Sequence, residues 1–258
     1  MGSSSTWLRS LSPRRLAAPR RLICFPHAGG AANSFRAWAE LMPASIEVVA
    51  VQYPGRQDRC GDPYAASIGD LADEIAAVVQ DRLDRPTALF GHSMGATVAY
   101  ETARRLTPRF PTPLTGLIVS ARKAPTGGAP AGLPVTDAQL RDYVRRLGGA
   151  GAGIVDNDAI WELVAPPLWH DLNLVRGYRY APGAPLTCPI VSIVGEQDST
   201  VSAADAARWS AHTIGSYAAH SVPGGHFYLD SDPAGLARLL TAVLEPTAAP
   251  VTEGADVG

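Results

Sequence analysis

Residues Ala88–Ala96, read as ALFGHSMGA, decide how the rest of the chain is read. An apolar run, Ala88-Leu89-Phe90, stops at Gly91-His92-Ser93-Met94-Gly95, and a helix-favouring stretch from Ala96 to Glu101 follows. A strand, a sharp turn with a serine at its tip and then a helix make a nucleophile elbow. Glycine at 91 and 95 lets neighbouring backbone approach where side chains would clash, and the serine is held in strained geometry. The helix begins at the serine, so its first amides face any negative charge that develops there. A chance Gly-x-Ser-x-Gly turn is the rival reading; the strand and helix signals on both flanks favour the elbow.

The segments on either side have the alternation that an elbow requires. Strand signals fall at Arg21–Phe25, Glu47–Tyr53, Thr87–Phe90, Leu114–Ser120, Pro189–Val194 and, more weakly, Ser216–Val222. Helix signals fall at Asn33–Leu41, Met94–Leu106 and Pro233–Leu244. Ile68–Leu83 repeats Ile68, Leu71, Ile75, Val78, Val79 and Leu83 at the spacing of one helix face. Strands alternating with helices imply a mostly parallel central sheet flanked by helices, an α/β architecture. The alternation breaks between Ala124 and Pro185. There Leu140, Tyr143, Val144 and Leu147 form one helix face, and Ile160 to Val175 suggest a second helical region interrupted by Pro166-Pro167. This predicts a helical lid insertion, about 126–185, over the strand ends where ligands bind in such sheets; a packing layer with no gating role is the alternative.

Composition limits the remaining choices. The chain has 258 residues, 46% hydrophobic and 18% charged, enough for one domain with a large core. A net charge of −2 gives no basic field for nucleic acid. Cys24, Cys60 and Cys188 lie far apart without a Cys-x-x-Cys pair, which argues against a disulfide framework and a structural zinc site. Cys24 and Cys188 read as core residues. No apolar run reaches the length of a membrane-spanning helix. Residues 1–20 carry Arg9, Arg14, Arg15 and Arg20 with no acid, superficially like a transit peptide. They are expected to be a flexible leader, with the domain at 21–245 and a disordered Pro-, Ala- and Gly-rich tail at 246–258.

A serine at an elbow needs a base. In this fold the order is serine, acid, histidine. His226 follows the last strand signal in Pro223-Gly224-Gly225-His226-Phe227, where the glycines permit a loop over the sheet. His92 abuts the serine, with its side chain expected to point away. Asp198, in Gly195-Glu196-Gln197-Asp198, sits just after a strand and suits the role of holding the histidine tautomer. Glu196 is its nearest rival, and Asp171 in the insertion is less suited because a mobile element orients a base poorly. The two oxyanion amides are expected from Met94, after the serine, and Ala28, in the small-residue loop His27-Ala28-Gly29-Gly30. Met94 is also expected to wall the acyl pocket.

Five segments in this order resemble the type II thioesterases that accompany polyketide synthases and nonribosomal peptide synthetases. They are FPHAGG (25–30), VQYPGRQDR (51–59), FGHSMGA (90–96), GEQD (195–198) and PGGHFYL (223–229); ARKAP (121–125) and RGYRY (176–180) also match. The resemblance implies an α/β-hydrolase fold with Ser93, Asp198 and His226 as triad and Ala28 and Met94 as oxyanion amides. It implies an acyl thioester on the phosphopantetheine arm of an acyl or peptidyl carrier protein as substrate, an editing role, no metal or organic cofactor, and a cytoplasmic monomer. The PGR turn at Arg56 is given a structural role. Carboxylester hydrolase, lipase, acyl transferase or cyclase chemistry uses the same triad, and a non-catalytic binding protein is the distant rival. Arg104, Arg105 and Arg109, or Arg141, Arg145 and Arg146, are candidate docking cations for an acidic carrier.

Overall fold

The computed structural model describes residues 4–12, 17–106, 114–126 and 132–245. Seven strands form one sheet: β1 (Leu8–Ser10), β2 (Arg20–Phe25), β3 (Ile46–Val51), β4 (Thr87–His92), β5 (Leu114–Ser120), β6 (Ile190–Gly195) and β7 (Tyr217–Val222). Their order is β1-β3-β2-β4-β5-β6-β7, parallel throughout except for β1, which pairs antiparallel with β3. The sheet centre is buried on both faces, as crossover helices require, so its strands are apolar runs rather than alternating ones. Alternate residues still feed different cores. Ile23, Phe25 and Leu89 pack into one, against α1 (Ile68–Gln80) and α2 (Met94–Arg105). Leu22, Cys24, Ala88 and Phe90 pack into the other with Trp38, Leu236 and Leu240. Cys24 and Cys188 are buried free thiols, whereas Cys60 is exposed.

Between β5 and β6 lies the helical insertion, built on α3 (Asp137–Leu147) and α4 (Asp158–Gly177). Thr136 caps α3 through the Gln139 amide and Asn157 caps α4 through the Ile160 amide. A small core of Leu140, Val155, Trp161, Ala165 and Leu172 joins the two helices. The final helix, α5 (Pro233–Leu244), starts with proline in the first turn, under the Asp232 cap.

Two expectations are corrected. Residues 4–12 are not a free leader. Trp7 is 3% exposed, its carbonyl accepts the Gln52 amide at 2.8 Å, and Leu8–Ser10 adds an edge strand. Burying the Trp7 ring, with the Arg59 guanidinium 4.2 Å over it, supplies what a three-residue strand lacks. The tail 246–258 and, within the leader, residues 1–3 and 13–16 lie outside the described residues. The second correction concerns α4, which runs unbroken through Pro166 and Pro167. The carbonyls that lose their helical partners belong to Glu162 and Leu163, both exposed, so water can take those bonds.

Candidate active site

Strand β4 delivers Ser93 to the carboxyl edge of the sheet. Ser93 has φ 54° and ψ −119°, a region that costs a non-glycine residue of order 1–3 kcal/mol. The turn is held by the Ser93 amide, which donates to Ser120 O at 2.8 Å. A Cβ on Gly91 would lie 2.3 Å from Gly95 O, and one on Gly95 would lie 2.0 Å from Phe25 O. Both positions therefore admit only glycine, and α2 can press its first turn onto the end of β2.

The loops after β6 and β7 bring Asp198 and His226 to this serine. His226 Nε2 lies 3.0 Å from Ser93 Oγ, and His226 Nδ1 lies 2.8 Å from Asp198 Oδ2. The side chains of His226 and Asp198 are 5% and 0% exposed, so neither leans on water for its orientation. Burial pushes the Asp198 carboxyl up, but the His226 hydrogen bond and charge and the bonds from Thr200 outweigh it and hold it below the usual carboxylate range. An ionised Asp198 fixes the proton on Nδ1 and leaves Nε2 to accept from Ser93 Oγ–H. Glu196, by contrast, is exposed.

Sequence reading missed Thr200. Its hydroxyl and its amide donate to Asp198 Oδ1 at 2.7 and 2.8 Å, and its Oγ1 also sits 3.1 Å from His226 Nδ1. It therefore occupies the carboxylate oxygen that His226 does not use. His92 does not point away as expected. Its ring packs 5.3 Å from the His226 ring, with Nδ1 2.7 Å from Ser120 Oγ. Burial first, then the neighbouring His226 and His27, lowers its pKa well below the ordinary histidine value. His27 is pushed down to about 4 by burial and by the charges of His226 and Arg56.

The amides of Ala28 and Met94 donate to no partner among the described residues. The flanking loop is held by a network. Arg56 grips Asp171 with Nη1 at 2.5 Å from Oδ2 and Nη2 at 2.9 Å from Oδ1. Asp171 Oδ2 accepts the Gly29 amide at 2.8 Å, and Arg56 Nη1 donates to Gly30 O at 3.2 Å. The PGR turn thus anchors α4 and the loop that carries Ala28 together. Asp171 is 1% exposed, consumed by this pair and far from a free acid. The Met94 side chain is buried in the core beside β4 and is not among the residues lining the cavity at Ser93, contrary to the expected pocket wall.

That cavity, about 650 Å³, opens at Ser93 and His226 under the insertion, with Tyr143, Val175 and Tyr178 on its walls. Of the candidate docking cations, Arg104 and Arg105 pair with Glu101, Arg141 with Asp137 and Asp158, and Arg145 with Asp142 and Asp156. Arg109 lies outside the described residues. No helix among the described residues is long and apolar enough to cross a membrane.

A serine at a strand-to-helix turn, linked by hydrogen bonds through an imidazole to a buried carboxylate beside a cavity, is the arrangement found in serine hydrolases of the α/β-hydrolase fold. Residues 20–244 match the family described as thioesterase domain, and the chain belongs to that family; it is a hydrolase acting on thioester bonds. It is 38% identical over 230 residues to thioesterase PikA5 of Streptomyces venezuelae, covering 88% of this chain and 81% of that one. Thioesterase TesA of Mycobacterium marinum is 36% identical over 226 residues, covering 86% of this chain and 90% of the relative. Among solved structures, the type II thioesterase BorB from the borrelidin biosynthetic cluster superposes with a TM-score of 0.82 at 35% identity, over 95% of this chain and 100% of BorB.

Proposed function

We propose that Ser93, His226 and Asp198 act as a catalytic triad that hydrolyses acyl thioesters from the phosphopantetheine arm of an acyl or peptidyl carrier protein, removing stalled or aberrant acyl groups from a polyketide or nonribosomal peptide assembly line, as a monomer in the cytoplasm. The observation that carries this reading is the continuous chain from Asp198 Oδ2 through His226 to Ser93 Oγ, opening onto the cavity. Membership of the thioesterase family and the likeness to BorB support the thioester and the assembly-line setting.

In this mechanism Ser93 Oγ attacks the thioester carbonyl as its proton passes to His226 Nε2. The oxyanion lies between the amides of Ala28 and Met94. The tetrahedral intermediate collapses, the C–S bond breaks, and the departing thiolate takes the proton from His226. Water then loses a proton to the same Nε2 as it attacks the acyl-serine, and the free acid leaves as Ser93 recovers that proton. Asp198 stays ionised and stabilises the imidazolium in both halves.

Steady-state hydrolysis of an acyl-carrier protein tests the assignment. Ser93→Ala abolishes turnover while the melting temperature stays within a few degrees of the parent, since it removes one hydroxyl hydrogen-bonded to His226 and no packing, and leaves the backbone turn as it is. Asp198→Asn lowers kcat by roughly 10,000-fold through the wrong tautomer. If Glu196→Gln carries that loss instead, the acid is misassigned.

A further inference from the structure

Three arginines of the described residues lie buried, and each has a carboxylate. Arg21 pairs with Glu47 at 2.8 Å, Arg56 with Asp171, and Arg59 with Asp62 at 2.7 Å. Arg122 breaks the pattern. It is half-buried, lines the same cavity as Ser93 and His226, and has no ion-pair or side-chain hydrogen-bond partner among the described residues. A partly desolvated cation without a counter-charge among the described residues carries a cost, and the neighbours that act on it here are the phenols of Tyr143 and Tyr178 rather than carboxylates. Burial pulls the guanidinium below its ordinary pKa, yet arginine remains charged at neutral pH.

The backbone fixes this placement. Ala121, directly after β5, holds φ 49°, a left-handed conformation that a non-glycine residue adopts at a cost. Its amide donates to Ile193 O at 2.9 Å, and Arg122 O accepts the Trp209 indole N–H at 2.9 Å. The strained turn is clamped on both sides, and the side chain it carries reaches the cavity. Two further donors converge there. Among the described residues Tyr143 OH has no hydrogen-bond partner, and Arg146, with its guanidinium 5.7 Å from the Tyr143 ring centroid, pairs with no carboxylate. Tyr178 is otherwise engaged, donating to Glu101 at 2.7 Å.

We propose that Arg122, Tyr143 and Arg146 form an anion subsite in the catalytic cavity, which takes a carboxylate or phosphate group carried by the thioester substrate. Planar guanidinium forks match both groups, and a phenol adds one donor. The carboxylate would belong to a dicarboxylic acyl chain; the phosphate would belong to the pantetheine arm. The inference rests on the thioesterase reading above, because only then does the anion arrive attached to the reacting carbonyl.

Two substrate pairs separate the sources. Succinyl and butyryl thioesters of N-acetylcysteamine differ by the carboxylate, and butyryl-phosphopantetheine and butyryl-pantetheine differ by the phosphate. The measured quantity is the ratio of kcat/KM within each pair. Arg122→Gln lowers one of these ratios by about 10- to 100-fold, the range of a lost charge-assisted bond, and Arg122→Lys restores part of it. Tyr143→Phe and Arg146→Gln lower the same ratio by a few-fold and carry the test if the Arg122 variants fail to fold. Loss of the succinyl ratio identifies the carboxylate, and loss of the phosphopantetheine ratio identifies the phosphate. Both ratios unchanged within two-fold in all these variants would overturn the subsite. A parent enzyme that hydrolyses none of the four thioesters in a Ser93-dependent manner would instead overturn the thioesterase reading itself.

Discussion

The elbow end of the sheet and the helical insertion facing it are built on opposite terms. At the elbow, backbone meets backbone: Gly91, Gly95 and Gly195 sit where a Cβ would come within 2.0–2.3 Å of a carbonyl oxygen. In the insertion, Gly148, Gly153 and Gly177 have nothing within 4 Å of that position. Leu163 and Val135 are 77% and 68% exposed there, and the helices share only a small core of their own. Polar anchors fasten α4 to the sheet domain near its carboxyl-terminal half. Asp171 holds Arg56 and the Gly29 amide, and His170 Nε2–H donates to Ala65 O at 2.9 Å while its ring stacks on Tyr64. The difference teaches that reacting groups need positional precision supplied by close packing. The cover is attached through these anchors and through Leu174 and Val175, which join the main core, and one anchor runs through the loop that carries the Ala28 amide.

The sharpest way to break this contrast is one methyl group placed in each region. Gly95→Ala drives a Cβ into Phe25 O and destabilises the fold by more than about 4 kcal/mol, a large share of the total stability of a typical domain. Gly177→Ala, at the last residue of α4 with open space around it, changes stability by no more than about 1 kcal/mol and in the stabilising direction. Urea denaturation of the two variants reads both. Comparable losses at the two sites would show that the insertion is packed as tightly as the elbow.

The close-packed region is also the one the sequence makes legible. Glycine spacing around Ser93, strand-turn signals before Asp198 and His226, and the alternation of strands and helices are local patterns, and local patterns survive in one dimension. Leu114–Ser120 and Pro233–Leu244 are bounded in the structure as their periodicity indicates. What stayed hidden depends on partners far along the chain. Arg56 and Asp171 stand 115 residues apart, and neither has a motif that names the other. Strand β1 has three residues, one of them arginine, and is held by Trp7 and a neighbouring strand rather than by its own propensity. Thr200 and Arg122 are single residues whose meaning appears only when two loops and a helix meet around them. The continuity of α4 through two prolines depends on where its freed carbonyls face, which the residue pattern alone does not reveal.

The Arg56–Asp171 anchor tests whether the two regions communicate. Asp171→Ala leaves a buried guanidinium without its partner and costs about 3–5 kcal/mol. It also strips the Gly29 amide of its acceptor, so kcat falls by about 10- to 100-fold as the Ala28 amide loses its fixed position. The double variant Arg56→Met with Asp171→Leu separates these effects. Apolar replacement of both partners recovers most of the stability, because no charge is left buried. It does not recover kcat, because Gly29 still lacks its acceptor. Recovery of kcat along with stability would reduce the anchor to a packing device.

The smallest effect is a slope in stability with pH, and it comes from the elbow region. His27 and His92 resist protonation in the fold, for burial above all, with His27 held to about 4 and His92 well below 6.5. In the unfolded chain both titrate near 6.5. As pH falls below that value the unfolded state binds more protons than the native state, so stability drops, and the loss continues towards pH 4. Asp198, held below its ordinary 3.8, releases its own contribution only beneath this window. A group that stays fully neutral costs up to about 1.4 kcal/mol per pH unit, and His27, only half-buried, gives the smaller share. The melting temperature therefore falls by a few degrees per unit from pH 6.5 to 4.5. His92→Gln flattens that slope, because the buried ring that refuses the proton is gone. An identical slope in parent and variant would place the acid sensitivity elsewhere in the molecule and remove the electrostatic half of the contrast between the elbow and its cover.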